Sequence, residues 1–560
     1  VKPRHALVVL LVCLVTYGAG LGDVAFYTRG EPREGLVVRE MLRTGAWLVP
    51  ARPEGEVARK PPLYYWLAAP ALALRGHAPE LALRLPSAVT ATAAVAGTWA
   101  ATGALAGPTA AIASALVLAT AFEWTRAAIG ARVDMTLAAA LTLVLLSWLL
   151  VLVGRNRRWL LGATAGAALA TLAKGPVGLV LPALAAVAFA AWRRDRTALV
   201  RLGLVRVLGV AALVAGAWYL VAFATQGRAF LDVVVKENLL RFVDTEDART
   251  GHAHGFFYLP IVGLVGLLPW VPLLPLAAPA RRDEPTTFAA VWALAVLVFF
   301  SLANAKRSVY LLPAFPAIAF LVGTSVAAGR TERARGLALL YLPALLVVGA
   351  IALAFGMGVD PGRLLHGWLR ADDAHGATAI AAATGTARPL VVAVALATIA
   401  AAVAVEQARR AAAWPRLVGI VAAAMIVWTA LFDVVVHPAI ARTRSLREFM
   451  TQVDRLTPHD ASLATSFPAD PGLRFYAPRP LVRLTDTSDA TRHALVWEDE
   501  WRRLRDENGE ALRTLAVSDA RQARRGPLAL VVVPAGRLRR VTPPAEAPAT
   551  PGLRTGSRSR

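Results

Sequence analysis

The sequence predicts a mainly α-helical, polytopic membrane protein with a small soluble α/β domain at its C-terminal end. Hydrophobic residues make up 57% of the 560-residue chain and charged residues 17%, a balance foreign to soluble enzymes. Apolar runs near the ~20-residue length of a membrane span recur from residue 6 to residue 436, and hydropathy reads about 13 of them. Beyond residue 437 the composition turns to Pro, Asp and Arg with short strand-like runs. The chain therefore divides into a transmembrane domain, 1–436, and a C-terminal domain, 437–560, that ends in a segment of disordered composition.

The first apolar run, 6–21, follows Lys2, Arg4 and His5. No small-x-small cleavage site precedes Asp23, so the run reads as the first helix rather than a removed signal. The following loop, 22–78, carries an amphipathic stretch in which Leu36, Val37, Met41 and Leu42 share one face and Arg39, Glu40 and Arg43 the other. It reads as a juxtamembrane helix lying on the outer surface, with Tyr64, Tyr65 and Trp66 as an interfacial aromatic belt. In the tail, Leu528–Val533 and 473–476 read as strands. Trp218, Trp270 and Trp428 read as packing or interface anchors.

Orientation follows from charge. With Lys2 and Arg4 inside, Arg155 to Arg158, Arg193 to Arg196, Arg281-Arg282, Arg330 to Arg335 and Arg409-Arg410 all fall in inner loops, as the positive-inside rule requires. The tail then lies outside. The net charge of +23 accordingly faces lipid headgroups and points to no nucleic acid. Cys13 is the only cysteine and excludes an intrachain disulfide.

The chain has five lysines, Lys2, Lys60, Lys174, Lys236 and Lys306, among 60 basic residues. The last four sit at the mouths of apolar segments on the outer side. Compact ammonium groups kept at one face suit recognition of phosphate by point charge. No Gly-rich nucleotide loop is present, so energy from ATP is not indicated.

Several short motifs occur in order on that side. They run Gly30-Glu31-Pro32-Arg33, Arg39-Glu40-Met41, Gly45-Ala46-Trp47 and Lys60-Pro61-Pro62-Leu63 through Trp66. Arg132-Val133-Asp134, Lys174-Gly175-Pro176, Glu237-Asn238 with Arg241-Phe242, and His252 ahead of Phe256-Phe257-Tyr258 follow. Pro269-Trp270 and Lys306-Arg307 with Tyr310 complete the series. This series resembles the GT-C membrane glycosyltransferases, in particular the lipid A aminoarabinose transferases and the protein O-mannosyltransferases. The resemblance covers roughly residues 5–330 by motif and the remainder by topology.

It implies a glycosyltransferase, hexosyl or pentosyl, that takes its sugar from a polyprenyl phosphate such as undecaprenyl phosphate. The acceptor would be lipid A-like, a glycan or a protein, and direct displacement would invert the anomeric carbon. Glu31 and Asp134 become the catalytic carboxylates. Lys60, Arg33, Lys306 and Arg307 become donor phosphate ligands. Glu34, Tyr64, Lys174, Glu237, Arg241, His252 and Tyr310 become substrate-binding residues.

The family's first catalytic carboxylate, usually Asp, aligns with Gly30. Either Glu31 takes over that role, or catalysis rests on Asp134, or the chain is inactive. Asp134, at the outer end of the apolar run 135–150, would cost a few kcal/mol facing lipid, so a cavity is expected; its structural alternative is a pair with Arg132 or Arg126. Glu237 and Arg241 have the spacing of a helical ion pair. His252 and His254 could hold a divalent metal, but Arg59 replaces the acidic neighbour of the family's loop lysine, and the reading takes no metal and no cofactor. Two rivals remain: a transporter of lipid or polyprenyl-phosphate sugar, and a non-catalytic relative that binds carrier lipid. No paired broken spans mark a midplane site for the first.

Overall fold

A computed structural model describes residues 3–53, 55, 57–237, 254–278, 283–359, 371–483, 492–497, 500–502, 513–518 and 527–533. The protein is mainly helical and forms two compact units. One comprises residues 1–25, 33–369 and 376–440; the other comprises 26–32, 370–375 and 441–560. The boundary expected at 436 thus lies close to the observed one, but the second unit also takes in a short piece of the first loop.

In the larger unit the chain runs through α1 (Pro3–Gly18), α2 (Gly30–Thr44), α3 (Leu63–Leu74), α4 (Pro79–Ala119), α5 (Phe122–Ala128), α6 (Val133–Leu152), α7 (Trp159–Lys174) and α8 (Val177–Arg193). After α9 (Thr197–Arg201), α10 (Leu204–Gln226) and α11 (Arg228–Val235) come α12 (Tyr258–Gly266), α13 (Glu284–Leu302) and α14 (Phe315–Ala327), then further helices to residue 444. Among the described residues eight helices are long and apolar enough to cross a membrane, or nine if the bent pair Tyr258–Gly266 and Val271–Ala277 counts as one span. Hydropathy read about 13. The difference sits in helices such as α1, α3 and α8, which are apolar but shorter. It also sits in α4, whose 41 residues are broken at Gly107 and would otherwise extend about 60 Å, twice a bilayer core.

The core gathers around α6, which packs on α4 and α7, while α14 lies along α4. Small residues set these approaches. A Cβ on Gly323 of α14 would stand 2.1 Å from Ser114 Oγ and 2.7 Å from Ala110 O of α4, so only glycine lets the two backbones meet. Trp270 is an interior anchor, its Nε1 donating to Thr120 Oγ1 at 3.2 Å, and Trp218 likewise donates to Leu48 O at 2.7 Å.

Two sequence expectations change. The α2 stretch is a helix, but Val37, Val38 and Met41 are buried in protein. Tyr64 and Tyr65 do not form an interfacial belt. Both are fully buried, and Tyr64 donates to Leu83 O at 2.6 Å. Protein neighbours, rather than lipid headgroups, satisfy their hydroxyls.

The smaller unit holds a five-stranded mixed sheet of order β2-β1-β3-β5-β4, with β1 (Leu463–Thr465), β2 (Leu481–Arg483), β3 (Arg492–Trp497), β4 (Arg513–Val517) and β5 (Leu528–Val533). β1 pairs parallel with β2 and β3, whereas β5 runs antiparallel to β3 and β4. Residues 473–476, read as a strand, belong instead to the helix Pro471–Tyr476, because the Asp470 carboxylate caps it by accepting from Leu473 N at 2.8 Å. Within this unit Tyr476 Oη accepts from Phe26 N at 2.7 Å, and the Phe26 and Phe475 rings meet edge-on at 5.2 Å.

Replacing Gly323 by Leu should lower the thermal midpoint of the solubilised protein by the equivalent of about 1–3 kcal/mol of overpacking. Gly216→Leu, on α10 where a Cβ meets nothing within 4 Å, should leave it unchanged. Equal midpoints for the two variants, read by fluorescence-detected size exclusion after heating, would contradict the close α4–α14 approach.

Candidate active site

The larger unit gathers charge at the end of the bundle where α2, α3, α6 and α7 present their motif residues. A small cavity of about 20 Å³ is lined by Arg33, Glu34, Val37, Arg52, Arg59, Lys60, Tyr65 and Glu237. Four cations face two carboxylates there, so the lining carries a surplus of positive charge. Arg33 Nη2 and Nε donate to Glu34 Oε1 at 2.9 and 3.3 Å, and Tyr65 Oη donates to Glu34 Oε2 at 2.7 Å. Glu34 is buried, and these contacts engage both its oxygens. Lys60 Nζ donates to Glu237 Oε2 at 2.7 Å, while Arg59 Nη1 stands 3.7 Å from Glu237 Oε1. Each carboxylate thus holds a cation in place without neutralising the whole cavity.

Asp134, in the first turn of α6, bonds Lys174 Nζ at the C-terminal end of α7. The turn after Lys174 is possible because Gly175 takes φ +90°, a conformation open to glycine. The Lys174 ammonium also lies 4.5 Å over the Tyr310 ring, a cation–π contact. Arg132 and Lys60 act electrostatically on Asp134 as well, which joins this pair to the cavity cluster.

Lys306 is buried and donates to His254 O at 2.7 Å. Burial lowers its pKa, because an ammonium out of water is disfavoured. Arg307 precedes the 3₁₀ turn Ser308–Ala314. Next to it Ser308 Oγ donates to Glu123 Oε1 at 2.8 Å, and Arg126 forks onto the same carboxylate at 2.6 and 3.0 Å.

The structure therefore brings together Arg33, Glu34, Lys60 and Glu237, and separately Asp134, Lys174 and Tyr310. Glu31 is buried in the first turn of α2, three residues before Glu34 on the same helix. Asp134 pairs with Lys174 rather than with Arg132 or Arg126, whose own partner is Glu123. Glu237 pairs with Lys60 and Arg59. Arg241, expected as its helical partner, and His252 lie outside the described residues. Tyr64, expected at the substrate, turns into the packed interior, and Tyr65 takes the cavity position. Tyr65, Arg52 and Arg59 are the polar lining residues that sequence reasoning did not assign to the site.

Among the described residues no three His, Cys, Asp or Glu side chains converge as a metal site. The His254 ring is stacked on Tyr258 at 3.8 Å and 7°.

Comparison with known proteins places this geometry. Residues 59–226 match the family model of dolichyl-phosphate-mannose-protein mannosyltransferases. An uncharacterized protein of Aquifex aeolicus is 27% identical over 63% of this chain and 70% of its own length. The undecaprenyl phosphate-alpha-4-amino-4-deoxy-L-arabinose arabinosyl transferase 1 of Pseudomonas fluorescens is 30% identical over 56% of this chain. The chain spans only 55% of that relative's length. The crystal structure of ArnT from Cupriavidus metallidurans bound to undecaprenyl phosphate superposes with a TM-score of 0.76 at 21% identity, covering 94% of this chain and 97% of that one. That likeness is one of fold. The resemblance carried by the motifs is supported in part: residues 59–226 are similar to the mannosyltransferase family model, and the fold is similar to that of ArnT.

The lowered pKa of Lys306 sets a pH dependence. An anion bound there needs the ammonium form, which is lost as pH rises through a value below that of an ordinary lysine. Affinity for undecaprenyl phosphate, titrated across about pH 7 to 11, should fall on the alkaline side. Lys306→Arg should move that fall upward, since guanidinium keeps its charge. An unchanged profile in Lys306→Arg would show that another group governs the alkaline limb.

Proposed function

We propose that the chain moves a sugar from a polyprenyl phosphate, of the undecaprenyl class, to an acceptor at the periplasmic face of a bacterial inner membrane. The observation that carries this reading is the cation-rich cavity in which Glu237 and Glu34 hold Lys60 and Arg33. It adjoins the Asp134–Lys174 pair. The matched aminoarabinose and mannose transferases, named for undecaprenyl- and dolichyl-phosphate sugars, support the same donor class.

In the reaction an acceptor oxygen attacks the anomeric carbon from the side opposite the phosphate. The new C–O bond forms as the bond to the carrier phosphate breaks, and the carrier phosphate leaves with the electron pair as a monoester. The configuration inverts. Charge grows on the phosphate as it leaves, and pre-positioned cations stabilise it without reorganisation. Lys60 and Arg33 serve there, with Lys306 and Arg307 as further phosphate ligands. A hydroxyl acceptor loses its proton to a carboxylate; a phosphate acceptor is already anionic and needs only positioning.

Glu31 is the carboxylate that the motif offers as that base. An Asp134 oxygen is engaged by Lys174. Asp134 and Lys174 act instead as a charge-balanced pair that positions the sugar, with Tyr310 beneath Lys174. The acceptor class is a lipid A-like glycolipid, a glycan or a protein.

Glu31→Gln should lower transfer by at least about a hundredfold and leave donor affinity unchanged. Lys60→Ala should weaken donor binding severely, and Lys60→Arg should restore it only in part, because a planar fork replaces a point charge. Donor affinity and initial transfer rate, measured on purified variants, separate the two roles. Near-normal transfer in Glu31→Gln with loss in Asp134→Asn would assign the base to Asp134, and unchanged donor affinity in Lys60→Ala would remove it from the phosphate site.

A further inference from the structure

A second, larger cavity opens at the opposite end of the helical unit. It holds about 1070 Å³ of empty space and is lined by Leu105, Val153, Asp283, Phe320, Thr324 and Arg330 with small neighbours between them. Val153 caps the C-terminal end of α6, whereas Asp134 stands at the start of that helix. Nineteen helical residues separate them by about 28 Å, so this cavity is distinct from the cation-rich one.

Its chemistry is divided. Leu105 comes from the break in α4 at Gly107, and with Val153 and Phe320 it supplies an apolar wall. The polar side chains are accounted for except one. The Asp283 carboxylate caps α13, accepting from Thr286 N at 3.3 Å and from Thr286 Oγ1 at 2.5 Å. Thr324 Oγ1 donates to Leu321 O at 3.0 Å. Arg330 is anchored by its backbone, N donating to Ser325 O at 3.0 Å, yet its Nε is buried without a hydrogen-bond partner. Arg155, which is exposed and donates to Ala104 O at 2.9 Å, adds a second guanidinium beside the α4 break.

A buried guanidinium N–H without an acceptor is costly, and a pocket with an apolar wall between helices suits an anionic lipid. We propose that this cavity binds a phospholipid of the adjoining leaflet. Arg330 donates to the headgroup phosphate in the manner of guanidinium–phosphate pairs. The upper acyl chain lies against Leu105, Val153 and Phe320. The Asp283 carboxylate, already occupied as a helix cap, selects against a second negative group beyond the phosphate.

The test uses the full chain in nanodiscs containing a photoactivatable phosphatidylglycerol, with labelled peptides mapped by mass spectrometry. Labelling should fall on the peptides around Leu105 and Phe320. It should drop about fivefold in Arg330→Ala, the worth of one arginine against an anionic lipid, and similarly in Ala106→Phe, which fills the cavity. Neither variant should alter affinity for undecaprenyl phosphate, a readout that also reports intact folding. Wild-type labelling of these peptides in both variants would overturn the proposal. So would equal labelling by a diacylglycerol probe, which lacks the phosphate, or full quenching by excess inorganic phosphate, which would assign the site to a free anion.

Discussion

A charge withdrawn from water has to be matched by an opposite charge, and that constraint organises the cation-rich end of this protein. Asp134 is matched by Lys174, Glu237 by Lys60, and Glu34 by Arg33. Removing one member of a largely buried pair, as Asp134–Lys174 and Glu237–Lys60 are, typically costs about 3–5 kcal/mol, because the other is left uncompensated; Arg33 is partly exposed, and solvent screens its pair with Glu34. The pairs therefore hold ammonium and guanidinium groups in fixed positions before any ligand arrives. Because cations outnumber carboxylates in the cavity lining, fixing them does not exhaust their charge. The lining is thereby oriented and still net positive.

The helices exist, in this view, to bring those partners together. α6 and α7 run side by side so that the start of one meets the end of the other, which places Asp134 against Lys174. α2 carries Arg33 and Glu34, and α3 carries Tyr65, whose hydroxyl completes the Glu34 contacts. The short stretch 26–32, which includes Glu31, belongs to the C-terminal unit, where Phe26 is tied to Phe475 and Tyr476.

Much of this was legible in the sequence. Apolar runs gave helices where expected, and Leu528–Val533 formed its strand. Partner choice was not legible. Local spacing suggested Arg132 or Arg126 for Asp134, yet the observed partner lies 40 residues away, and Lys60 reaches Glu237 across 177 residues. Tertiary packing selects such partners, and spacing along one helix cannot reveal them. The same holds for Tyr64 and Tyr65. Adjacent helical residues point about 100° apart, and the neighbouring α4 decides which one is turned inward. The segment 473–476 is different in kind. Asp470 followed by Pro471 is a helix-start signal, and it outweighed the apolar pattern that suggested a strand.

The central claim is that the cation-rich cavity supports sugar transfer and not passage of the carrier across the membrane. Proteoliposomes holding the purified chain and an undecaprenyl-phosphate-linked sugar test it, with glycosylated acceptor and carrier translocation quantified separately. Transfer to acceptor with stoichiometric release of undecaprenyl phosphate, and no acceleration of carrier flipping, is the predicted result. Accelerated flipping with no glycosylated product would contradict it.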